Sequence, residues 1–217
     1  MSIELCFFRH GRSVWNAQKR FQGQADVALD ELGKRQARAV ARRCQEMAPV
    51  ALISSDLSRC ADVAKAVSEV TALEVKFDQR LRERDVGSWS GLTQPEVSSQ
   101  FPNDFQAWIG GNEDVRPGGG ETMSDLLHRV DDFMQSIIAS DHQGTVVAVS
   151  HGAWIKALVR WITGPDIPSG AIGVPSQASL TVVHIEDGKA RLEAFNDRGH
   201  LLEVEDVDRE APSPRIY

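Results

Sequence analysis

The chain lacks most of what marks a secreted, membrane-spanning or nucleic-acid-binding protein. Its 217 residues hold only three cysteines, Cys6, Cys44 and Cys60, in neither paired nor metal-type spacing. That argues against a disulfide framework and for reduced thiols. No apolar run approaches the roughly 20 residues of a membrane span, and Met1-Ser2-Ile3-Glu4 has neither the basic nor the apolar stretch of a signal peptide. A cytoplasmic setting is therefore expected. Acidic residues outnumber basic ones, 31 to 24, for a net charge of −7. No general basic field is available for nucleic acid or an anionic membrane, and an anionic substrate must be held by a local cluster. The sequence shows no internal repeat.

Hydrophobic residues make up 41% and charged residues 25% of the chain, ordinary values for a globular protein, and the length predicts one domain spanning 1–217. Short apolar runs at Ile3–Phe8, Val50–Ser54 and Leu73–Phe77 read as strands, separated by helices over Leu32–Met47 and Leu57–Val70. This βαβαβ alternation predicts an α/β fold: a three-layer αβα sandwich around a mostly parallel sheet. Residues 87–120, rich in Gly, Pro and Trp, read as an insertion over the site with short helices near Gln94–Gln100 and Asp104–Ile109. A long helix from Thr122 to about Ala139, an apolar strand Thr145–Val149 and a helix Ala153–Thr163 follow. Strands near Ser179–Ile185 and Ala190–Phe195 flank Glu186-Asp187-Gly188 as a hairpin, and the charged tail 203–217 is expected to be extended.

Two short words carry the most information: Arg9-His10-Gly11 and Ser150-His151-Gly152, each directly after an apolar strand. They predict two imidazoles meeting at one sheet edge. The longer run Arg9-His10-Gly11-Arg12-Ser13-Val14-Trp15-Asn16 resembles the histidine phosphatase superfamily, the phosphoglycerate-mutase-like proteins. Leu81, Glu83, Gly87, Trp89 and Gly91 match its pattern Leu-x-Glu-x-x-x-Gly-x-Trp-x-Gly, and Ser54-Ser55-Asp56-Leu57-Ser58-Arg59 supplies its second arginine. With Gln22-Gly23-Gln24-Ala25-Asp26, Gly118–Thr122 and Asn196–Leu201, the resemblance runs from Phe7 to about Leu201.

The resemblance implies that His10 attacks phosphorus to form a phosphohistidine, with Arg9, Arg59 and His151 around the phosphoryl oxygens and Glu83 as proton donor. Asn16 and Gly152 complete the expected phosphate site; Arg12, Ser13, Gln22 and Gly23 are candidate substrate contacts. Phosphoryl transfer needs cations around the equatorial oxygens and a proton for the leaving oxygen, and arginine's planar fork suits two phosphate oxygens at once. A neutral imidazole is a workable nucleophile beside a protonated one, so His10 is expected neutral and His151 cationic. The negative charge of a bound phosphate favours the acid form of a neighbouring carboxyl, which can then protonate the leaving alkoxide; Asp85 is the local rival for this role. Arg12, where the family usually has Glu or Gln, is expected to add positive charge at the rim. No metal or other cofactor is expected, the partner is a small phosphate ester, and a homodimer is compatible with the fold.

Blander and rival readings apply to several of these residues. Cys6 and Arg12 are spaced Cys-x₅-Arg, as in cysteine-dependent phosphatases, but Phe7 and Phe8 are too bulky for a phosphate loop. Arg82, Arg84 and Glu121 read equally well as solvated charges, and Gly118–Gly120 as a flexible turn. The surroundings of the site favour a phosphatase over a mutase: Val86 and Ala153 stand where mutases carry polar groups, and the run Arg80–Thr93 looks closest to broad-specificity and glucosyl-3-phosphoglycerate phosphatases. A silent phosphate-binding regulator is the remaining alternative, and it would need neither a nucleophile nor an acid.

Overall fold

Strands that are apolar on both faces need cover on both sides, and the fold supplies it. The computed structural model describes residues 2–164 and 171–205. Strands β1 (Ser2–Arg9), β2 (Ala51–Ser54), β3 (Val75–Phe77), β4 (Gly144–Ser150), β5 (Leu180–Glu186) and β6 (Lys189–Asp197) form a sheet in the order β3-β2-β4-β1-β5-β6. The first four strands pair in parallel, and β5 runs antiparallel to both β1 and β6. The helices are α1 (Val14–Ala17), α2 (Glu31–Met47), α3 (Ser58–Thr71), α4 (Gln94–Gln100), α5 (Pro102–Ile109), α6 (Met123–Ile138), α7 (Gly152–Thr163) and α8 (Leu202–Glu205).

Period-2 alternation sorts the strand residues between two cores. Leu5 and Phe7 of β1 and Val146 and Ala148 of β4 pack with Leu126, Phe133, Trp154 and Leu158 of α6 and α7. Cys6, Phe8, Val147 and Val149 point the other way, onto Val40 and Cys44 of α2 and Val63 and Val67 of α3. The result is the expected αβα sandwich. A third, aromatic cluster of Trp89, Val97 and Phe105, with Phe21, Phe101 and Trp108 packed on it, forms in and around residues 87–120.

Local chemistry explains the ends of the elements. Asp30 caps α2 by accepting from the Gly33 N–H at 2.8 Å. The β5–β6 hairpin turns on Asp187 and Gly188 at φ 48° and 75°, the two positive values of a tight I′ turn. Two expectations change. Residues 203–205 belong to α8 rather than to an extended tail; the rest of that expected tail, 206–217, lies outside the described residues. In the Gly118–Gly120 turn two of the three glycines are close-packed rather than loose: a Cβ on Gly118 would lie 2.5 Å from the Val86 carbonyl oxygen and one on Gly120 2.3 Å from that of Asp85, while Gly119 faces open space.

Candidate active site

Parallel strands end on the same side of the sheet, so β1 and β4 deliver their last residues together. Arg9 lies opposite Ser150 in register, and the His10 N–H donates to the Ser150 carbonyl at 3.0 Å. The two histidine words therefore meet, with the rings of His10 and His151 5.2 Å apart between centroids. Gly11 lets the His10 loop sit on the start of α2, since a Cβ there would lie 2.6 Å from the Gly33 carbonyl oxygen. The first turn of α3 brings in Arg59, and Glu83 arrives from the irregular segment after β3.

Hydrogen bonds assign the protons. The His10 Nδ1–H donates to the Gly11 carbonyl at 2.7 Å. A carbonyl can only accept, so the His10 Nε2 carries the lone pair. The Arg59 Nε–H donates to His151 Nδ1 at 3.2 Å, and the His151 Nε2–H donates to Ser55 Oγ at 2.8 Å. Both ring nitrogens of His151 are thus accounted for in a neutral imidazole. Burial, followed by the charge of Arg59, pushes both histidine pKa values well below 6.5. His151 is therefore neutral in this arrangement rather than the expected cation: an ion there would be buried among Arg59, His10 and Arg9.

Burial also lowers the Arg9 and Arg59 pKa values, while the negative charge of Glu83 acts against it at both. Arg59 is anchored by donating through Nη1 to Ala25 and Nη2 to Gly23 carbonyls, each at 2.8 Å. Arg9 donates through Nη1 to the Pro175 carbonyl, but its Nε–H is buried without a partner among the described residues. A buried donor on a cation calls for an acceptor, and an oxyanion supplies one. Gly152 is what lets Arg9 lie there, because a Cβ would come 3.1 Å from its Cζ.

Glu83 occupies the N-terminus of α7. Its carboxylate accepts from the Ala153 N–H at 3.1 Å, the Trp154 N–H at 3.3 Å and the Arg84 N–H at 2.9 Å. It thereby supplies the cap that the His151 side chain does not. Asp85 instead accepts from the Gly87 N–H and shapes the next turn.

The structure brings together Arg9, His10, Arg59, Glu83, His151 and Gly152, and gives the other expected contacts local tasks. Ser13 is buried, accepting from the Asn16 N–H and donating its hydroxyl towards Gln22 Oε1 at 2.8 Å. Asn16 Oδ1 accepts from the Ser13 N–H in return, so Ser13, Asn16 and Gln22 build the start of α1. Gly23 has φ 51°, and a Cβ on it would meet Val86. Arg12 is paired with Asp30 at 2.6 Å, so the expected extra charge at the rim is largely offset. Arg82 grips Asp56, Arg84 donates to the carbonyls of Glu121 and Val115, and Glu121 pairs with Arg129, which replaces their solvated reading. The Cys-x₅-Arg alternative fails: Cys6 is buried in the sheet and its thiol is pushed up to about 12, the reverse of what a thiolate nucleophile needs. Sequence reasoning missed Ser55, whose only signal was its place one residue after β2, and Arg129, a charge lost in the pattern of α6.

A mostly parallel sheet that brings together two arginines, two imidazoles and a helix-capping carboxyl defines a phosphate-handling αβα protein. The chain belongs to the histidine phosphatase superfamily, branch 1, whose family model matches residues 5–198. It is 37% identical over 205 residues, covering 93% of this chain and 84% of the relative, to a metal-independent phosphoserine phosphatase of Arabidopsis thaliana. A glucosyl-3-phosphoglycerate phosphatase of Mycolicibacterium vanbaalenii is 36% identical over 213 residues, 92% of each chain. The solved structure of a mycobacterial glucosyl-3-phosphoglycerate phosphatase with VO3 superposes at a TM-score of 0.82 and 34% identity, covering 90% of this chain and 99% of that one.

Proposed function

We propose that this phosphomonoesterase hydrolyses a small phosphorylated metabolite through a phosphohistidine on His10. The observation that carries the reading is the Arg9 Nε–H, buried without a partner among the described residues, in a site where His10 Nε2 carries the lone pair. In the first step Nε2 forms a bond to phosphorus while the ester P–O bond breaks, and the leaving alkoxide takes a proton from Glu83. Arg9 and Arg59 hold the equatorial oxygens; the ester arrives as its monoanion and gives its proton to His151 Nδ1, and the Arg59 Nε–H, which held that nitrogen, turns to a phosphoryl oxygen. In the second step Glu83 takes a proton from water, the water oxygen bonds to phosphorus, and the N–P bond breaks to free His10 and phosphate.

Hydrolysis is favoured over mutase chemistry by what lines the site. Val86 packs against Gly23, and Ala153 offers its N–H to Glu83 and only a methyl beyond it. Neither can grip a carboxylate while a small substrate reorients. With 3-phosphoglycerate and 2,3-bisphosphoglycerate, phosphate release should outrun formation of 2-phosphoglycerate; isomerisation many-fold ahead of release would reverse the assignment. Alkaline quenching should trap an acid-labile phosphoryl group on His10 that His10→Ala lacks.

Among the described residues no helix is long and apolar enough to cross a membrane. The three buried, free cysteines support a reducing, cytoplasmic setting. A homodimer belongs to the same reading, with the open edge of β3, where Phe77 is 57% exposed, as its candidate surface; sedimentation velocity reads it.

A further inference from the structure

Glu83 sits on backbone without regular structure, between the 3₁₀ turns Gln79–Leu81 and Gly87–Trp89. Such a segment must find partners for its peptide groups elsewhere. One side chain of α6 holds three carbonyls of this stretch, and Gln24 Nε2 also donates to that of Glu83 at 3.2 Å. Arg129 donates through Nη1 to the carbonyls of Arg80 at 2.7 Å and Arg82 at 2.8 Å, and through Nη2 to that of Glu83 at 3.1 Å. Its Nε and Nη2 also meet the two oxygens of Glu121, each at 2.8 Å. All the N–H donors of the guanidinium are thereby engaged in one plane, which a lysine cannot reproduce.

Glu121 holds the other side of the same segment. Its Oε2 accepts from the Asp85 N–H at 2.9 Å, its own N–H donates to the Asp85 carbonyl at 3.0 Å, and its carbonyl accepts from Arg84 Nε at 2.9 Å. The pair is mostly buried, and its charges cancel. It therefore fixes where Glu83 stands more than it alters the field around it.

We propose that Arg129 and Glu121 are positioning residues that hold Glu83 at proton-transfer distance from the leaving oxygen. The proposal rests on Glu83 being the proton donor. A shift of about 1 Å in a reacting group can cost about 10²-fold in rate. The loss should fall on esters whose leaving group needs a proton, and spare p-nitrophenyl phosphate, whose leaving group is stable as an anion.

The test compares Arg129→Lys and Glu121→Gln with Glu83→Gln on an alkyl phosphate and on p-nitrophenyl phosphate. Both positioning variants should lose about 10- to 10²-fold in kcat on the alkyl ester and several-fold less on the aryl ester. Arg129→Lys combined with Glu83→Gln should be no slower on the alkyl ester than Glu83→Gln alone, because the two changes act through one group. Equal losses on both esters, or losses that multiply in the double variant, would overturn the proposal. If Arg129→Lys does not fold, Glu121→Gln, which keeps the side-chain volume, is judged by the same criteria. Should Glu83→Gln itself slow both esters equally, the acid assignment fails; a selective loss in Glu83→Gln with none in the other variants removes only the positioning role.

Discussion

The two buried histidines make the folded state acid-sensitive in a way that can be assigned residue by residue. Burial, then Arg59, holds His10 and His151 well below 6.5, whereas in the unfolded chain both titrate near that ordinary value. As pH falls through 6.5, the unfolded state binds protons that the folded state excludes, so stability declines; above 6.5 the two states bind alike and the loss vanishes. Each such group contributes a slope of at most about 1.4 kcal/mol per pH unit. His151→Gln keeps a polar side chain of similar size and removes one of the two titrations. For a domain of this size each kcal/mol is worth roughly 2–4 °C in Tm. The unfolded imidazole goes from half to mostly protonated over this interval, which is worth about 1 kcal/mol, so the fall in Tm between pH 6.5 and 5.5 should shrink by roughly 2–4 °C in the variant. Thermal melts at pH 7.5, 6.5 and 5.5 without phosphate read it. A variant as acid-sensitive as the parent would show that His151 is already protonated in the folded state, and the proton assignment from Arg59 and Ser55 would be wrong.

His10→Ala should abolish turnover and leave the fold intact, whereas Cys6→Ser should cost some stability but little activity; a dead cysteine variant beside an active histidine variant would restore the cysteine mechanism. Gly152→Ala places a methyl 2.6 Å from Val174 Cγ1 and 3.1 Å from Arg9 Cζ, and should lower kcat/KM by about 10²-fold through displacement of the guanidinium; an unchanged kcat/KM would mean that Arg9 does not hold the phosphoryl group. Vanadate, which adopts the five-coordinate shape of the transferring phosphoryl group, should inhibit strongly, and EDTA should have no effect. Activity lost to EDTA and restored by a divalent metal would contradict a mechanism resting on arginine and histidine alone.

Much of the framework is written locally. The apolar runs ending at Arg9 and Ser150, the helix starting after Asp30 and the Asp187-Gly188 turn are read within a few residues of themselves, because strand alternation, capping and turn preferences act at that range. Parallel neighbours end on the same side, so once β4 is placed beside β1 the meeting of His10 with His151 follows. The charge states and the partners do not. His151 is neutral because it is buried beside the charge of Arg59, Arg12 is offset by Asp30, and Ser13 is spent on α1. Arg129 reaches the Glu83 carbonyl from 46 residues away, on a helix whose pattern shows only an arginine near its apolar stripe. Desolvation and long-range hydrogen bonds depend on which groups folding brings together, so the sequence by itself determined the sheet, its ends and the residue types available there. Only the tertiary structure decided which of them carry a proton, which are already occupied, and which hold the acid in place.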